Sequence, residues 1–510
     1  MLLSDLIRDL EEKRVLGDRD VEIDGVAYHS GKVSKGDLFV AIRGTRTDGR
    51  LFVAEALDRG AGALVLEGAD EKSYGVPVVL VPDSRRALAR ISAAFFGHPS
   101  RNMRVVGVTG TNGKTTTSFL IESMLASDSL ACGVLGTINY RYGGNTIPAP
   151  MTTPESPDIQ RMLKEMLDSG ITHVVMEVSS HALDLRRVEG CHFDVGVFTN
   201  LTQDHLDYHP SLDQYRRCKE HLFTGIIPES DKPDRTAVLN LDDPAGEDLW
   251  KKLDYARMGY AVGRKASFWA EGVTSTLRGI EATVHTPGGD MRIRSPLVGE
   301  FNIYNIMAAM GAATALGVGQ EAIQKGISAL SSIPGRMERI ENDRRLEVFV
   351  DYAHTPDALE RALTVLRPLR RGGRLIVVFG CGGDRDRSKR PLMGRVVARL
   401  SDFSVITSDN PRSERPEEII RDIERGFVSE NRREFDGDKL LGGAAETGGY
   451  LKVEDRRAAI GLAVRAARPG DIVFIAGKGH ENYQIVGDRR LPFDDRVEAR
   501  AALLKRASNG

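Results

Sequence analysis

The sequence predicts an α/β protein built from three domains, spanning 1–100, 101–333 and 334–510. Its length of 510 residues corresponds to about three domains at roughly 150 residues each. Short apolar runs alternate with helical stretches, a pattern typical of mostly parallel sheets covered by helices on both faces. The pattern is interrupted near residue 100 and again at Ile333-Pro334-Gly335, where we place the boundaries.

The strands are predicted from the apolar runs in chain order. They cover 37–42, 62–66 and 76–81 in the first domain, 104–109, 172–178, 193–199 and 236–241 in the second, and 346–350, 374–379, 403–407 and 471–476 in the third. An alternating pattern over 272–295, with a Pro-Gly-Gly-Asp turn at 287–290, predicts an antiparallel hairpin attached to the central sheet. Charged residues interleaved with apolar ones predict an amphipathic helix over Met1–Leu16.

Composition and charge exclude several classes of protein. Since 70 Lys and Arg oppose 72 Asp and Glu, no bulk field attracts nucleic acid or an anionic membrane. The four cysteines have neither disulfide-framework nor zinc-site spacing. No apolar run approaches the roughly 18 residues that span a bilayer, and the N-terminus lacks the apolar core of a signal peptide. We therefore expect a cytoplasmic protein without nucleic-acid or membrane partners. As separate expectations, we predict a monomer that acts on small molecules.

A glycine-rich loop carries the strongest chemical signal. The segment 107–116 (GVTGTNGKTT) follows a predicted strand and precedes a helix predicted over 116–125. Such a strand–loop–helix presents backbone N–H groups and a helix N-terminus to phosphate oxygens. Lys114 can reach the outer phosphates, and the Thr115 hydroxyl can bind Mg²⁺. The spacing is a variant, because Val108 occupies a position that is usually glycine; the alternative is a turn without a ligand.

Two further residues lie where the same edge of the sheet is predicted. Glu177 ends the apolar run HVVMEV, so its carboxylate should project beside the phosphate loop and is a candidate magnesium ligand. His205 follows another predicted strand. Considered alone, a strand-end acid can simply face solvent, and a single histidine is more often structural than catalytic.

Lys219 occupies an unexpected position in a predicted helix. Leu212, Tyr215 and Leu222 define an apolar stripe by their spacing, and Lys219 falls on it. One interpretation is that its aliphatic stem packs on the stripe while its ammonium reaches water. The other is a partly desolvated lysine whose lowered pKa allows it to react as the free amine.

Short motifs along the whole chain, taken in order, resemble those of the Mur ligase family, ATP-dependent amide-forming enzymes of peptidoglycan precursor synthesis. They are GTNGKTT (110–116), TTP (152–154), EVSSHAL (177–183), NLTQDHLDYH (200–209), Lys219, GEFNIYN (299–305), PGRME (334–338), DYAHTPD (351–357), GCGGDRD (380–386), DNPR (409–412) and AGKGHE (476–481). Any one of them could occur by chance, but the ordered set makes coincidence implausible.

The resemblance implies an N-terminal domain for the UDP end of a substrate, a central P-loop ATPase domain and a C-terminal Rossmann-like domain that delivers an amino acid. It implies a nucleotide site made of Gly110, Thr111, Asn112, Gly113, Lys114, Thr115, Thr116, Asn302, Arg336 and Asp351. It implies contacts to a UDP-muramoyl dipeptide from Ser30, Thr152, Thr153, Ser179 and Arg187.

The resemblance also implies that Lys219 carries an N-carboxy (carbamate) group. An ammonium would be repelled by magnesium, whereas a carbamate reverses the charge and supplies the oxygen ligands that the ion prefers. Thr115, Glu177, His205 and the Lys219 carbamate are then the expected magnesium ligands. Lys114, Glu177, His205 and Lys219 are the expected catalytic residues.

The amino-acid pocket implied by the resemblance centres on DNPR. Arg412, directed by an Asn410-Pro411 turn, can hold bidentately the extra carboxylate of meso-diaminopimelate, which lysine lacks. Arg385, Asp409, Asn410, Gly477 and Glu481 complete the pocket, with Glu481 facing the distal amine. L-lysine remains the alternative amino acid, and DNPR alone could be a turn that starts a helix.

The implied reaction joins diaminopimelate to the D-glutamyl γ-carboxylate of UDP-N-acetylmuramoyl-L-alanyl-D-glutamate, after ATP activates that carboxylate as an acyl phosphate. A folylpolyglutamate synthetase shares the amide chemistry, but the muramoyl-type motifs and DNPR argue against it. A nucleotide-controlled binding switch is an alternative from a different class. The sequence contains no NKxD-type guanine motif, and a switch does not account for the amino-acid pocket.

Overall fold

The computed structural model describes residues 1–44, 47–70, 72–205, 208–343, 346–370, 372–435 and 448–508. Within these ranges the strands form three large sheets and one two-stranded hairpin. Each large sheet belongs to its own consecutive stretch of chain and is covered by helices, as the α/β prediction requires. Leu206 and Asp207 of the NLTQDHLDYH motif lie outside the described residues.

The first stretch forms a small α/β unit. Its elements are α1 (Leu3–Leu6), β1 (Arg14–Leu16), β2 (Gly25–Ala27), β3 (Asp37–Val40), α2 (Val53–Asp58), β4 (Ala63–Glu67), β5 (Val78–Val81) and α3 (Ser84–Phe95). The sheet order is β1-β5-β4-β3-β2, with β1 antiparallel to β5 and the others parallel. The prediction of one helix over 1–16 is wrong, because the helix ends at Leu6 and residues 14–16 pair with the edge of the sheet.

The central stretch contains the largest sheet. Its elements are β6 (Arg104–Thr109), α4 (Lys114–Ser127), β7 (Cys132–Leu135), β8 (Asn139–Tyr142), β9 (Asn145–Pro148), α5 (Ser156–Asp168), β10 (His173–Glu177), α6 (Ser180–Asp184), β11 (Val195–Phe198), α7 (Leu212–His221), β12 (Thr236–Asn240), α8 (Pro244–Lys252), β13 (Arg257–Val262), β14 (Phe268–Thr276), β15 (Gly279–Thr286), β16 (Gly289–Ser295), α9 (Asn302–Ala315) and α10 (Gln320–Ala329). A π-helical turn over Leu222–Ile226 follows α7.

The strand order of this sheet determines where the site forms. It is β16-β15-β14-β13-β12-β11-β6-β10-β7-β8-β9, and β6 pairs in parallel with both β10 and β11. The connection from β6 runs to β7 on one side, whereas the connection from β10 runs back across β6 to β11 on the other side. Such a reversal of direction opens a crevice at the carboxyl ends of β6 and β10. The predicted hairpin is larger than expected, because β14, β15 and β16 form three antiparallel strands with a turn between 286 and 289.

The third stretch forms a second mostly parallel sheet. Its elements are β17 (Glu338–Arg339), β18 (Glu347–Asp351), α11 (Pro356–Leu369), β19 (Leu375–Phe379), α12 (Lys389–Leu400), β20 (Phe403–Ile406), α13 (Pro416–Ser429), β21 (Arg433–Glu434), β22 (Gly449–Lys452), α14 (Arg456–Ala466), β23 (Ile472–Ala476), β24 (Tyr483–Val486), β25 (Arg489–Pro492) and α15 (Asp495–Ser508). The order β17-β18-β23-β19-β20-β22-β21 places the carboxyl ends of β18, β23, β19 and β20 side by side.

Burial explains why the apolar runs identified the strands. Every residue of β10, β19 and β23 is buried, because helices cover both faces of the sheets. Polar side chains consequently gather at the strand ends, where the chain leaves the core. Among the described helices, none is long and apolar enough to cross a membrane.

Candidate functional site

A cavity of about 760 Å³ lies at the carboxyl edge of the central sheet, between that sheet and residues of the third stretch. Most of the site residues predicted from the sequence line it. They are Thr111, Asn112, Gly113, Lys114, Thr115, Thr116, Thr152, Thr153, Ser179, Arg187, His205, Lys219, Asn302, Arg336 and Asp351.

The glycine-rich loop has the predicted strand–loop–helix form, with β6 ending at Thr109 and α4 starting at Lys114. Gly113 has φ +89°, and a Cβ there would lie 2.2 Å from Asn305 Oδ1, so both conformation and space require glycine. The loop is held against the end of β11, since the Asn112 N–H donates to Asn200 Oδ1 at 3.0 Å. The first N–H groups of α4 have no partner within the helix, and Lys114, Thr115 and Thr116 at its start line the cavity.

Glu177 lies directly behind the start of α4, at the end of β10. Its Oε2 accepts hydrogen bonds from Thr115 Oγ1 at 3.0 Å and Thr137 Oγ1 at 2.8 Å, and its Oε1 accepts from the Thr137 N–H at 3.0 Å. A carboxylate and two hydroxyls thus converge, and hard oxygen donors of this kind suit Mg²⁺. Nucleotide-bound Mg²⁺ takes few protein ligands and completes its shell with phosphate and water, so this donor set fits that ion.

Two lysines, of which Lys219 is buried and Lys114 is half-buried, share one carbonyl group. Lys114 Nζ donates to Gly110 O and Thr111 O, both at 2.9 Å, and Lys219 Nζ donates to Gly110 O at 2.8 Å. Burial lowers the pKa of both amines, and for Lys219, whose pKa falls well below its ordinary value, the Lys114 charge acts in the same direction. Lys219 Nζ also lies 4.5 Å from the centroid of the Tyr215 ring.

The apolar stripe of α7 is confirmed at Tyr215 and Leu222 but is wrong at Leu212. Leu212 is 44% exposed, because it is the first residue of the helix and projects away from the core. Lys219 is 1% exposed, so the interpretation in which its ammonium reaches water is wrong. Its amine is held inside the cavity wall, next to the phosphate loop.

His205 lies at the rim of the same cavity in a left-handed conformation with φ +53°. Its N–H donates to Asp204 Oδ1 at 2.8 Å, and its ring lies 4.9 Å from that of His181. Burial raises the pKa of Asp204, but His205 and neighbouring cations outweigh burial and hold it below the ordinary value. Within the described residues, no three His, Cys, Asp or Glu side chains are arranged to hold a metal by themselves.

Arg336 connects the third stretch to the phosphate loop. One of its NH2 groups donates to Thr115 Oγ1 at 3.4 Å, while its Nε is buried without a hydrogen-bond partner in the described chain. Asp351 accepts from the Met337 and Ala353 N–H groups, and burial raises its pKa despite the opposing effect of Arg336. Asn302 accepts from Asn305 Nδ2 at 2.8 Å.

The residues expected to contact a muramoyl dipeptide are only partly together. Thr153 Oγ1 donates to Glu177 O at 2.7 Å, and the Ser179 N–H donates to Thr153 Oγ1. Arg187 also lines the cavity, bonded to Glu155 Oε1 at 2.9 Å. Ser30 is buried at the start of a short 3₁₀ turn in the first stretch and does not line this cavity.

A second cluster forms at the carboxyl ends of β19, β20 and β23, outside the lining of the main cavity. Asn410 Nδ2 donates to Glu481 Oε2 at 2.9 Å, and a Cβ on Gly477 would lie 2.5 Å from Asp409 Oδ2. Asp409, Asn410, Gly477 and Glu481, which the resemblance groups together, are therefore neighbours.

Arg412 and Arg385 flank a glycine pair at the edge of this cluster. Arg412 NH1 donates to Gly383 O at 2.7 Å, and a Cβ on Gly382 would meet both Arg412 NH1 and Arg385 Cγ. The Pro411 carbonyl would lie only 1.8 Å from a Cβ on Gly383, so that glycine lets the two loops approach. Residues 409–412 precede α13, which starts at Pro416, so the turn also leads into a helix.

Sequence reasoning missed several residues of the main cavity. Thr137, which donates hydrogen bonds to Glu177, follows β7. We did not predict this strand, although its apolar run CGVL is followed by Gly-Thr. Asn305, Tyr352 and His354 line the cavity and lie within motifs that were recognised only as wholes. Lys478, within AGKGHE, is a further polar residue of the second cluster.

Family comparisons agree with this geometry. The chain matches the Mur ligase family, catalytic domain over 22–96, the Mur ligase middle domain over 108–313 and the Mur ligase, glutamate ligase domain over 335–479. A relative 48% identical covers the whole chain. The chain belongs to the Mur ligase family.

The similar proteins carry a narrower name. UDP-N-acetylmuramoyl-L-alanyl-D-glutamate--2,6-diaminopimelate ligase of Geobacter metallireducens is 48% identical over 100% of both chains, and that of Gloeobacter violaceus is 47% identical over 96% of both. A solved structure of a ligase of the same name is 32% identical, with a TM-score of 0.69 and 99% coverage of each chain. The folylpolyglutamate synthase of Mycobacterium tuberculosis, complexed with ADP and AMPPCP, shares the fold at 19% identity and a TM-score of 0.60, over 81% of this chain and 93% of its own.

Proposed function

We propose that this chain is an ADP-forming ligase that adds meso-2,6-diaminopimelate to the D-glutamyl γ-carboxylate of UDP-N-acetylmuramoyl-L-alanyl-D-glutamate, in peptidoglycan precursor synthesis. The observation that carries the proposal is one cavity lined both by the phosphate loop and by Thr152, Thr153, Ser179 and Arg187. Relatives of that name, 44–48% identical over nearly the whole chain, support it.

We assign the UDP end of the substrate to 1–100, including Ser30, ATP and the dipeptide to 101–333, and the amino acid to 334–510. The connections after β5 and after β16 contain these boundaries. We further propose that the enzyme works as a monomer in the cytoplasm on small-molecule substrates.

The first chemical step is activation of a carboxylate. An amine cannot displace an oxide from a carboxylate at a useful rate, so a γ-carboxylate oxygen attacks the γ-phosphorus of ATP, ADP leaves and an acyl phosphate forms. Lys114 and the N–H groups at the start of α4 bind the phosphoryl oxygens and stabilise the developing charge. Asn302, Arg336 and Asp351, which line the same cavity, hold the nucleotide.

Thr115, Glu177, His205 and a Lys219 carbamate would hold Mg²⁺, which would supply neutralisation of the phosphate charge during phosphoryl transfer. Carbamate formation needs the neutral amine, and the lowered pKa of Lys219 favours that form. The amine attacks CO₂, forms an N–C bond and loses a proton, which leaves two oxygens in place of a cation.

In the second step, the free amine of the incoming amino acid attacks the acyl carbon, a tetrahedral intermediate forms and inorganic phosphate leaves. Arg412 binds the distal carboxylate of diaminopimelate and Glu481 faces the distal ammonium, with Asp409, Asn410, Gly477 and Arg385 around them. Movement of the third stretch about Pro334-Gly335 brings the two sites together, because positioning three substrates is mainly a problem of orientation.

The test is ATP turnover by the purified chain with the muramoyl dipeptide and one amino acid at a time. ADP release should require both organic substrates and should be faster with meso-diaminopimelate than with L-lysine. Preference for L-lysine would overturn the assignment of specificity. ADP release that is independent of both substrates would instead favour a nucleotide-controlled switch.

A further inference from the structure

A lysine without a role in the steps above lies in the middle of the amino-acid pocket. Lys478 follows β23, and its side chain is 0% exposed. Its Nζ donates to Asn410 Oδ1 and to Glu481 Oε2, both at 3.0 Å, and lies 3.9 Å from Asp409 Oδ1. Burying an ammonium has a large desolvation cost, which only well-placed partners can offset. The contacts of Lys478 with Asn410, Glu481 and Asp409 therefore have structural consequences for the pocket.

The first consequence concerns the orientation of an amide. Asn410 Oδ1 accepts hydrogen bonds from Lys478 Nζ and from the Ile485 N–H at 2.9 Å. Both acceptor positions of that oxygen are therefore used. The Asn410 amide must direct its NH₂ group toward Glu481 Oε2, and Lys478 contributes one of the two bonds that impose this orientation.

The second consequence concerns charge. Asp409 and Glu481 are carboxylates in the same pocket, and the nearby Arg456 is held by two 2.7 Å bonds to Asp495. Burial raises the pKa of Asp409, but Lys478 and Arg456 outweigh burial and keep it below the ordinary value. Lys478 thus helps the Asp409 carboxylate to remain ionised beside the Glu481 side chain.

The third consequence concerns the oxygen left for a ligand. Within the described chain, the hydrogen bonds to the Glu481 carboxylate from Asn410 and Lys478 both use Oε2. That sharing fixes the rotamer of Glu481 and leaves Oε1 to accept from a substrate ammonium. A lysine in this position sets the direction of the carboxylate without occupying its ligand-facing oxygen.

We propose that Lys478 is a positioning residue for amino-acid selection, which holds Asn410 and Glu481 in the arrangement that receives the distal ammonium of the incoming diamino acid. This inference rests on the proposed function. It assigns Lys478 no contact with the reacting atoms, so its effect should fall on amino-acid binding and not on the activation of the carboxylate by ATP.

The test uses Lys478→Met, which keeps the length of the side chain but removes the charge and the donors. Its matched control is Lys452→Met, which removes a lysine paired with Glu424 and Glu434 elsewhere in the same sheet. The KM values for diaminopimelate, ATP and the muramoyl dipeptide are measured separately, together with the unfolding temperature. Lys478→Met should raise the diaminopimelate KM by about ten- to hundredfold, the range expected when charged hydrogen bonds are lost.

The other two KM values should stay within about twofold of wild type, since Lys478 does not contact the main cavity, and Lys452→Met should leave all three KM values near wild type. Equal changes in all three KM values, or a lower unfolding temperature with an unchanged diaminopimelate KM, would overturn the proposal. If Lys478→Met does not fold, Lys478→Arg is measured in the same way. Arginine keeps the positive charge but places the donor groups differently, so the diaminopimelate KM should still rise. An unchanged diaminopimelate KM would again overturn the proposal. A wild-type chain that does not use diaminopimelate would instead refute the proposed function.

Discussion

The nucleotide side of the main cavity and the amino-acid pocket are built by the same rule but from different amounts of continuous chain. Both lie where parallel strands end beside one another. The nucleotide side is dominated by the single segment 110–116, whereas the amino-acid pocket joins three loops that are far apart in sequence. Binding on the nucleotide side should therefore depend on local backbone geometry. Binding in the amino-acid pocket should depend on side chains that hold the three separate loops in position.

The largest expected effect lies on the nucleotide side. Glu177→Gln keeps the shape of the side chain but removes the charge on which Thr115 and Thr137 converge. We expect ADP formation to fall by about 10²–10³-fold, the range seen when one electrostatic contributor to a transition state is removed. Steady-state ADP release at saturating substrates measures the loss. The control is Glu122→Gln, which disrupts a partly exposed pair with Arg141; turnover like wild type in Glu177→Gln would remove this carboxylate from the mechanism.

The amino-acid pocket should respond differently to loss of a fork-shaped donor. Arg412→Lys keeps the charge but cannot bind a carboxylate bidentately. We expect diaminopimelate use to weaken by about 1.5–3 kcal/mol, with little change for ATP. The ratio of kcat/KM for diaminopimelate to that for L-lysine reports the effect. Arg415→Lys, on an exposed neighbour, should leave the ratio unchanged, and an equally unaffected Arg412→Lys would place the distal carboxylate elsewhere.

Backbone geometry on the nucleotide side can be isolated with a pair of glycines. Gly113 and Gly170 have φ +89° and +77°, so alanine at either position adds about 1–2 kcal/mol of left-handed strain. Only at Gly113 would the new methyl group displace Asn305, since nothing lies within 4 Å of a Cβ at Gly170. We expect Gly113→Ala to raise the Kd for ATP by about tenfold and Gly170→Ala to leave it unchanged. Equal effects on ATP binding would show that strain alone, and not the shape of the loop, sets the affinity.

The smallest expected effect is a pH-dependent change in stability. Because the pKa of buried Lys219 is lowered, the folded state binds fewer protons than the unfolded state between that pKa and 10.5. The cost of burying Lys219 therefore grows as the pH falls through this window. Lys219→Met removes the cost, so its Tm should rise relative to wild type by a few degrees between about pH 9 and about pH 6 in bicarbonate-free buffer. A difference in Tm that does not change with pH would contradict the lowered pKa.

The sequence alone was enough to predict local structure wherever one physical rule controls a segment. In the predicted runs 104–109 and 471–476, residues 105–109 and 472–476 are strand residues that are all buried. The loop after β6 has its predicted form because its glycines and the start of the following helix are local features. Glu177 could be assigned to the sheet edge because it ends such a run. These features need no knowledge of the remaining chain.

Other features depend on contacts that the pattern does not contain. Residues 14–16 have helical periodicity but form a strand, because β5 offers an unpaired edge. Leu212 matches the stripe of α7 but is exposed at the first turn. The roles of Thr137 and Lys478 depend on partners about 40 and 70 residues away, which only the strand order brings together.

Carboxylate activation is tested most directly by isotope transfer. The muramoyl dipeptide is prepared with ¹⁸O in its D-glutamyl γ-carboxylate and incubated with ATP, Mg²⁺ and diaminopimelate, and the released phosphate is examined by mass spectrometry. We predict that one labelled phosphate is released for each amide bond formed and that it contains one ¹⁸O atom. That atom is the oxygen that bridges carbon and phosphorus in the acyl phosphate. Amide formation with unlabelled phosphate would contradict it.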